Sequence, residues 1–161
     1  MKKMEMVRIA DMKIAEGDTE LVTYALGSCV GITFYDPALK LGALLHILLP
    51  ERIGDTDSNV MKYADSGIHA TMRQLEMLGF SKSRAIVKIA GGAKMFELSG
   101  GNTAAINVGE RNAIASKEKL KQLGIRLLAE DTGLNYGRTV EIYSEDGSFL
   151  IKSVGKPEKK I

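Results

Sequence analysis

Two runs of sequence decide the fold: TYALGSCVGITFYDP, residues 23–37, and GALLHILLP, residues 42–50. The VGITFY part of the first run is rich in β-branched and aromatic residues and ends at Asp36-Pro37, a strong turn signal. The second run is apolar except for one histidine and is closed by Pro50, which is typical of a fully buried strand. Because the connection between the two strands is short, we expect them to pair as a hairpin.

Strand and helix patterns continue along the chain without a linker or a break in composition. The strand patterns are MVRIADMKIA (6–15), ELVTYAL (20–26), RAIVKIAGG (84–92), IRLLAE (125–130), TVEIYS (139–144) and SFLIKSV (148–154). One helix is predicted near Met61–Leu78, and a second begins at a capping-box-like Asn107 and runs to about Leu123. These patterns predict a single α/β domain of the α+β type over residues 1–155, with mixed β-sheets or a β-sandwich flanked by two main helices. Residues 156–161 are predicted to form a basic C-terminal tail that frays.

Composition excludes several classes of protein. The chain has 161 residues, of which 45% are hydrophobic and 26% charged, and its net charge of +2 is too small to indicate nucleic-acid binding. A single cysteine excludes an internal disulfide and any multi-cysteine metal site. The N-terminal sequence MKKMEMVRIADMKIAE lacks the apolar core of a secretory signal, and the longest apolar run is about half of a membrane span. We therefore expect a cytoplasmic protein that does not insert into membranes.

Cys29 follows the Gly27-Ser28 turn, where it is either a small buried residue or a nucleophile. A thiol needs a base or a positive neighbour to react as a nucleophile, and histidine is the natural base. His69 is expected on the surface of the first helix, one position from its apolar stripe. His46 interrupts the buried strand, where an imidazole costs free energy unless its ring nitrogens find partners. The predicted hairpin would bring Cys29 close to the end of the strand that carries His46.

Thr23 is a candidate for the group that orients the imidazole. It lies six residues before Cys29, and simple alternation places Thr23, Ala25 and Gly27 on one face of the strand. A threonine hydroxyl can accept a hydrogen bond from the imidazole N–H. The spacing alone leaves other interpretations open: a buried structural cysteine in an unrelated α/β protein, and a threonine that is present only for its β-propensity.

Taken together, these runs resemble the N-terminal signature of the chemoreceptor glutamine deamidases, the CheD family of bacterial chemotaxis. The likeness continues, in the family's order, in KYADSGI, KIAGGAKMF, INVGERN and LAEDTGLNYGR, so that it extends from about Thr23 to Arg138. One departure follows Gly133, where this chain has Leu134 and the family usually has a second glycine. The resemblance therefore does not predict the conformation of this loop.

The resemblance implies cysteine-dependent hydrolysis of glutamine side chains on chemoreceptors, the methyl-accepting chemotaxis proteins, to glutamate and ammonia, without a metal or an organic cofactor. It implies that Cys29 is the nucleophile, His46 the general base and Thr23 the residue that orients the histidine. We expect His46 to take the thiol proton near neutral pH, which gives a thiolate–imidazolium pair. Gly27 and Ser28 form the turn that presents the main-chain N–H of Cys29 to the developing oxyanion. The fold implied is similar to that of toxin deamidases of the cytotoxic necrotizing factor type.

The resemblance also implies a protein partner, a CheC-type phosphatase of the response regulator. The alternative interpretation is therefore a regulatory binding partner of that phosphatase, without catalytic use of the cysteine. The loop with Gly91, Gly92 and Phe96 is the candidate for the rim of the catalytic site or for the partner surface.

Overall fold

The computed structural model describes residues 2–54, 57–95 and 107–161. The strands in these ranges are β1 (Lys3–Met6), β2 (Asp11–Glu16), β3 (Thr19–Leu26), β4 (Val30–Asp36), β5 (Leu41–Ile47), β6 (Ile86–Gly91), β7 (Leu127–Thr132), β8 (Arg138–Tyr143), β9 (Phe149–Lys152) and β10 (Lys159–Lys160). The helices are α1 (Ala64–Met77) and α2 (Val108–Gln122), and a 3₁₀ turn over Val60–Lys62 precedes α1. Neither of these two helices combines the length and the apolar character that a membrane crossing requires.

The described strands form two five-stranded sheets. The first sheet has the order β1-β3-β8-β9-β10, and the second has the order β2-β5-β4-β6-β7. Both sheets are mixed, because β1 pairs with β3 and β6 pairs with β7 in parallel, whereas the other pairs are antiparallel. One hydrophobic core lies between the two sheets, and another lies between the second sheet and the two helices. The prediction of an α+β fold with mixed sheets and two main helices is confirmed.

The hairpin of β4 and β5 occupies the middle of the second sheet. Its register pairs Val30 with Ile47 and Gly31 with His46, so the pairing expected from the sequence is confirmed. Every residue of both strands is buried, because the first sheet covers one face of the hairpin and the helices cover the other. This double coverage explains why the two runs are almost continuously apolar.

Asp36 anchors the turn between β4 and β5. Its carboxylate is fully buried and accepts hydrogen bonds from the guanidinium of Arg84, at 2.7 and 2.9 Å, and from the main-chain N–H groups of Ala38 and Ser81. The hydrogen bond from Arg84 holds the pKa of Asp36 below its ordinary value, even though burial acts in the opposite direction. The turn is therefore bonded to the segment that leads into β6.

The prediction of one strand over residues 6–15 is wrong, because the chain crosses there from one sheet to the other. β1 belongs to the first sheet and β2 to the second, and a short connection joins them. Ala10, at the end of this connection, has a left-handed φ of 61°, and its N–H donates a hydrogen bond to the carbonyl of His46. The connection therefore passes directly beside the strand that carries the candidate base.

The last residues do not fray as their composition predicts. β10 pairs with β9, and Ile161 packs against the core between the sheets. The Nζ of Lys88 donates a hydrogen bond of 2.6 Å to the main-chain oxygen of Ile161. One apolar side chain and one ammonium group therefore hold a segment that is otherwise rich in lysine.

Gly91, at the end of β6, lies against the backbone of Cys29. Its φ is +110°, and a Cβ added there would overlap the carbonyl oxygen of Cys29. Gly17 also has a positive φ, of +67°, but a Cβ added there would meet nothing within 4 Å. Only glycine satisfies both the backbone conformation and the close approach at Gly91.

Gly91→Ala should lower the free energy of unfolding by more than about 3 kcal/mol, because it adds a backbone clash to a conformational penalty. The matched variant Gly17→Ala carries the conformational penalty alone and should cost about 1–2 kcal/mol. Urea unfolding of both variants and the wild type measures the difference. Equal losses in the two variants would contradict the close approach of β6 to Cys29.

Candidate active site

A hydrogen bond between Thr23 and His46 joins the two sheets at the candidate site. Thr23 lies in β3 of the first sheet, His46 lies in β5 of the second, and both side chains are almost completely buried. The Oγ1 of Thr23 is 2.7 Å from the Nδ1 of His46. The threonine and the histidine that the sequence singled out are therefore in direct contact.

The carbonyl of Val7 determines which atom donates in this contact. The Oγ1 of Thr23 also lies 2.7 Å from the carbonyl oxygen of Val7, which can only accept. A hydroxyl has a single hydrogen, so Thr23 donates to Val7 and accepts from the Nδ1–H of His46. The Nε2 of His46 is then unprotonated, and this buried atom has no hydrogen-bond partner among the described residues. The imidazole is thus held in the tautomer that a general base requires.

A β-bulge separates Thr23 from the turn that follows it. In the pairing of β3 with β8, the two residues between Thr23 and Leu26 face a single residue of the partner strand, and Ala25 has a φ of 59°. Ala25 is exposed, whereas Thr23 is fully buried. The expectation that Thr23, Ala25 and Gly27 share one face is therefore wrong, because a bulge reorients the side chains beside it.

Cys29 lies in the loop between β3 and β4 and faces the same core as His46. Gly31 is directly opposite His46, and Cys29 precedes Gly31 by two residues, which places it on the same face as a diagonal neighbour. The Cys29 side chain belongs to the core cluster between the sheets and is only 6% exposed. A Cβ added at Gly31 would lie 3.1 Å from a side-chain carbon of Leu26, so Leu26 packs over this glycine. Within the described residues, the thiol of Cys29 forms no hydrogen bond with His46.

Burial keeps both candidate catalytic groups neutral. Desolvation lowers the pKa of His46 to about 4, and desolvation also raises the pKa of the Cys29 thiol above its ordinary value. The main-chain N–H of Cys29 partly opposes the second shift, because it favours the thiolate. At neutral pH the resting site therefore holds a thiol and a neutral imidazole. Both shifts favour the neutral forms over the expected thiolate–imidazolium pair.

The glycine pair after β6 supports the loop that carries Cys29. Gly92 donates its main-chain N–H to the carbonyl of Cys29 at 2.8 Å, and Ala93 donates to the carbonyl of Gly27 at the same distance. Gly91 and Gly92, which the sequence assigned to a rim or partner loop, therefore lie directly against the candidate nucleophile. Phe96, from the same prediction, lies outside the described residues.

Leu134 adopts the left-handed conformation that a glycine would take. Its φ is 60°, its side chain is 63% exposed, and its carbonyl accepts a hydrogen bond from the N–H of Lys94 at 2.8 Å. The loop therefore keeps a turn of the glycine type despite the leucine, at a cost of about 1–2 kcal/mol for a non-glycine residue.

Two contributions to the site were not recognised from the sequence. The carbonyl of Val7 orients Thr23, but a main-chain atom leaves no signal in a side-chain pattern. Asn112, in α2, is fully buried and donates hydrogen bonds to the carbonyls of Ser28 and Leu48. An asparagine on the buried face of a helix is unusual, so Asn112, the last residue of INVGERN, was a signal in the sequence that could have indicated this contribution.

The remaining histidine lies elsewhere. His69 is exposed on α1, as expected. Among residues 2–54, 57–95 and 107–161, no group of three or more His, Cys, Asp or Glu side chains is arranged to hold a metal ion.

Comparison with known proteins identifies relatives along the whole chain. A family profile described as "CheD chemotactic sensory transduction" matches residues 48–153. The chain is 48% identical, over 100% of both chains, to the "Probable chemoreceptor glutamine deamidase CheD" of Lachnoclostridium phytofermentans. It is 42% identical to the "Chemoreceptor glutamine deamidase CheD" of Thermotoga maritima, and this match covers 99% of this chain and 96% of that protein.

Among solved structures, the chain is similar to a Neisseria meningitidis protein of the family DUF152, with a TM-score of 0.53. The two sequences are 11% identical, and the match covers 83% of this chain and 64% of that chain. At this identity the likeness concerns the fold alone, and it is consistent with the α+β architecture. The expected likeness to toxin deamidases of the cytotoxic necrotizing factor type stays a prediction.

Cys29 should react with iodoacetamide as a thiol of raised pKa and not as a preformed thiolate. Because burial raises the pKa of the thiol above 9.0 and keeps His46 neutral, the thiolate fraction should be small at neutral pH and grow as the pH rises. Mass spectrometry of alkylation from about pH 5 to about pH 10 should show a steady rise in rate.

The same protein unfolded in urea provides the reference rate for an exposed thiol. Fast alkylation that is constant between about pH 5 and about pH 8 would reveal a thiolate–imidazolium pair and contradict the neutral resting site.

Proposed function

The chain belongs to the CheD chemotactic sensory transduction family, and from this premise we propose that it is a chemoreceptor glutamine deamidase. It hydrolyses the carboxamide of specific receptor glutamines to a carboxylate and releases ammonia. One observation carries the proposal at the level of atoms: Thr23 binds the Nδ1 of His46 and leaves Nε2 free. A buried histidine with only a structural role is expected to have partners for both ring nitrogens.

The first half of the proposed reaction forms a thioester. The Nε2 of His46 accepts the thiol proton while the sulfur of Cys29 forms a bond to the carboxamide carbon. The former carbonyl oxygen then carries a negative charge, which the main-chain N–H of Cys29 stabilises. The imidazolium gives its proton to the nitrogen, the C–N bond breaks, and ammonia leaves.

The second half restores the thiol. The Nε2 of His46 takes a proton from a water molecule, and the resulting hydroxide attacks the thioester carbon. The C–S bond breaks, the imidazolium returns the proton to the sulfur of Cys29, and the receptor side chain leaves as a carboxylic acid, which releases its own proton to solvent to become glutamate. No redox change takes place, and the protein ends in its starting protonation state.

The neutral resting site suits this sequence of proton transfers. Because the pKa of His46 is about 4, Nε2 is unprotonated over the whole neutral range and is available as a base. The thiol proton moves only when an electrophilic carbon is in place, so the nucleophile is generated during attack. Thr23 keeps Nδ1 protonated throughout, which directs every proton through Nε2.

The product changes the charge of the receptor. A neutral carboxamide becomes a carboxylate, which alters the electrostatic interactions between receptor helices and provides a group for later methylation. We place the reaction in the cytoplasm, where the reducing conditions keep a lone thiol unoxidised.

The CheC-type phosphatase remains the proposed protein partner. Its binding would be a second role of the same chain, and co-purification of the two proteins tests it. The alternative of a purely regulatory, non-catalytic protein predicts such a complex without any release of ammonia from receptor glutamines.

Cys29→Ala should abolish ammonia release from a receptor fragment that contains the reactive glutamine, because no other described group can form the thioester. His46→Gln should lower kcat by about 10²–10⁴-fold, the usual contribution of a general base. Ammonia is measured with an enzyme-coupled assay, and conversion of glutamine to glutamate is confirmed by mass spectrometry.

His69→Gln is the matched control, since His69 is exposed on α1 and should leave turnover unchanged. If folded Cys29→Ala releases ammonia at the wild-type rate, the mechanism is wrong.

Thr23→Val should lower kcat by about 100-fold with little change in KM, because the near-isosteric valine cannot accept the Nδ1–H and the favoured tautomer is lost. Thr23→Ser keeps the hydroxyl and should retain activity within about tenfold of the wild type. Steady-state kinetics of the two variants, together with their melting temperatures, provide the test. If valine and serine are equivalent at this position, Thr23 does not orient the imidazole.

A further inference from the structure

Three successive carbonyl groups of the loop that carries Cys29 accept hydrogen bonds. The carbonyl oxygens of Gly27 and Cys29 accept hydrogen bonds of 2.8 Å from the two main-chain N–H groups that follow β6. The carbonyl oxygen of Ser28, between them, accepts a hydrogen bond of 2.9 Å from the side-chain amide of Asn112. A loop of three residues, which no strand pairing fixes, therefore has all three of its carbonyls bonded.

Asn112 uses both hydrogens of its amide for this purpose. The second hydrogen bond, of 3.0 Å, goes to the carbonyl oxygen of Leu48, which lies just beyond β5 and two residues after His46. Because both partners are carbonyl oxygens, the nitrogen of the amide must face them and the orientation of the group is determined. One fully buried side chain thus connects the residue before the nucleophile to the end of the strand that carries the base.

These hydrogen bonds also determine where the N–H groups of the loop point. The chain has no cis peptide bond in its described part, and in a planar trans unit the C=O and the N–H point in opposite directions. With the Ser28 carbonyl directed at Asn112, the N–H of Cys29 points away from α2. In the same way, the bonded carbonyl of Gly27 directs the N–H of Ser28 away from the segment after β6.

In the part of the chain that the structure describes, neither of these two N–H groups, that of Ser28 and that of Cys29, has a main-chain partner. Successive main-chain N–H groups can bind an anion together where they face the same point. Main-chain donors without a protein partner are free to bond water or a ligand.

We propose that Asn112 is a positioning residue, which holds the Ser28–Cys29 peptide unit so that the N–H groups of Ser28 and Cys29 form a two-donor oxyanion site. The inference rests on the proposed deamidation, because an oxyanion arises only when the thiol attacks a carboxamide. Asn112 does not touch the substrate and acts through the backbone of the loop. We therefore expect Asn112 to stabilise the transition state, without a change in substrate binding or in the acidity of the Cys29 thiol.

Ser116 offers a matched control on the same helix. It is also fully buried, lies one turn after Asn112, and donates its hydroxyl to the carbonyl of Asn112 at 2.8 Å, but it forms no hydrogen bond with the Cys29 loop. Ser116→Ala thus removes a buried hydrogen bond from α2 without removing a donor from the loop.

The test compares Asn112→Ala with Ser116→Ala in the full-length protein. Removal of one oxyanion donor costs about 10²–10³ in kcat, so a loosened pair of donors should lower the kcat of Asn112→Ala by about 10- to 100-fold. The KM for the receptor fragment and the rate of Cys29 alkylation by iodoacetamide should stay within about twofold of the control, because neither involves an oxyanion. Ser116→Ala should retain wild-type kcat.

Several outcomes would overturn the inference. Equal kcat values in Asn112→Ala and Ser116→Ala would do so. A fall in the alkylation rate of Asn112→Ala in proportion to its fall in kcat would also do so, because it would indicate general loosening of the site. If the wild-type protein releases no ammonia, the proposed function itself is wrong. If the wild type is active and Asn112→Ala has the same kcat, only the proposed role of Asn112 is wrong.

A measurement on the wild type covers the case in which Asn112→Ala does not fold. A receptor peptide with an aldehyde in place of the reactive carboxamide should form a hemithioacetal with Cys29, whose oxygen occupies the oxyanion site. In ¹H–¹⁵N spectra, the amide protons of Ser28 and Cys29 should both move downfield on binding. A hemithioacetal that forms without a downfield shift of either amide proton would overturn the two-donor site.

Discussion

One hydrogen bond between two buried side chains, from the Nδ1–H of His46 to the hydroxyl of Thr23, joins the two sheets at the centre of the molecule. Its direction is set by the carbonyl of Val7, which takes the only hydrogen of the threonine hydroxyl. Without this chain of three groups, the histidine would be a polar ring in an apolar strand with no partner for either nitrogen. With it, one ring nitrogen is satisfied and the other is available for proton transfer. The geometry of the candidate site is therefore part of the contact between the sheets.

The burial that makes this contact specific also suppresses reactivity in the absence of substrate. Desolvation favours the neutral forms of both Cys29 and His46, so the resting thiol is protonated and the imidazole is a free base. Cys29 as a whole is only 6% exposed, which limits its reaction with adventitious electrophiles. In the proposed mechanism the nucleophile forms only when a carboxamide is in place, which suits a protein that modifies another protein.

Sequence motifs that lie far apart meet behind the Cys29 loop. A Cβ at Gly109, near the start of α2, would overlap the main-chain oxygen of Ala93, so the helix abuts the segment after β6. That segment in turn donates hydrogen bonds to the loop that carries Cys29. The described parts of the runs KIAGGAKMF and INVGERN, residues 88–95 and 107–112, thus belong to one support, in which glycines allow close approach and Asn112 supplies hydrogen-bond donors. Their place in the family signature has a physical explanation in this packing.

The sequence by itself determined the local structure and the candidate residues. The apolar runs on either side of Asp36-Pro37 predicted the central hairpin, since a strand buried on both faces has to be apolar throughout, and this pairing places Cys29 near His46. Only the tertiary structure decided how the N-terminal run divides between two sheets, how a bulge at Ala25 breaks the alternation, and why the last residues form β10. It also decided the tautomer of His46 and the hydrogen-bond partners of Asn112. These features depend on main-chain carbonyls, left-handed residues and contacts between distant segments, and none of them changes the pattern of side-chain types from which a sequence is interpreted.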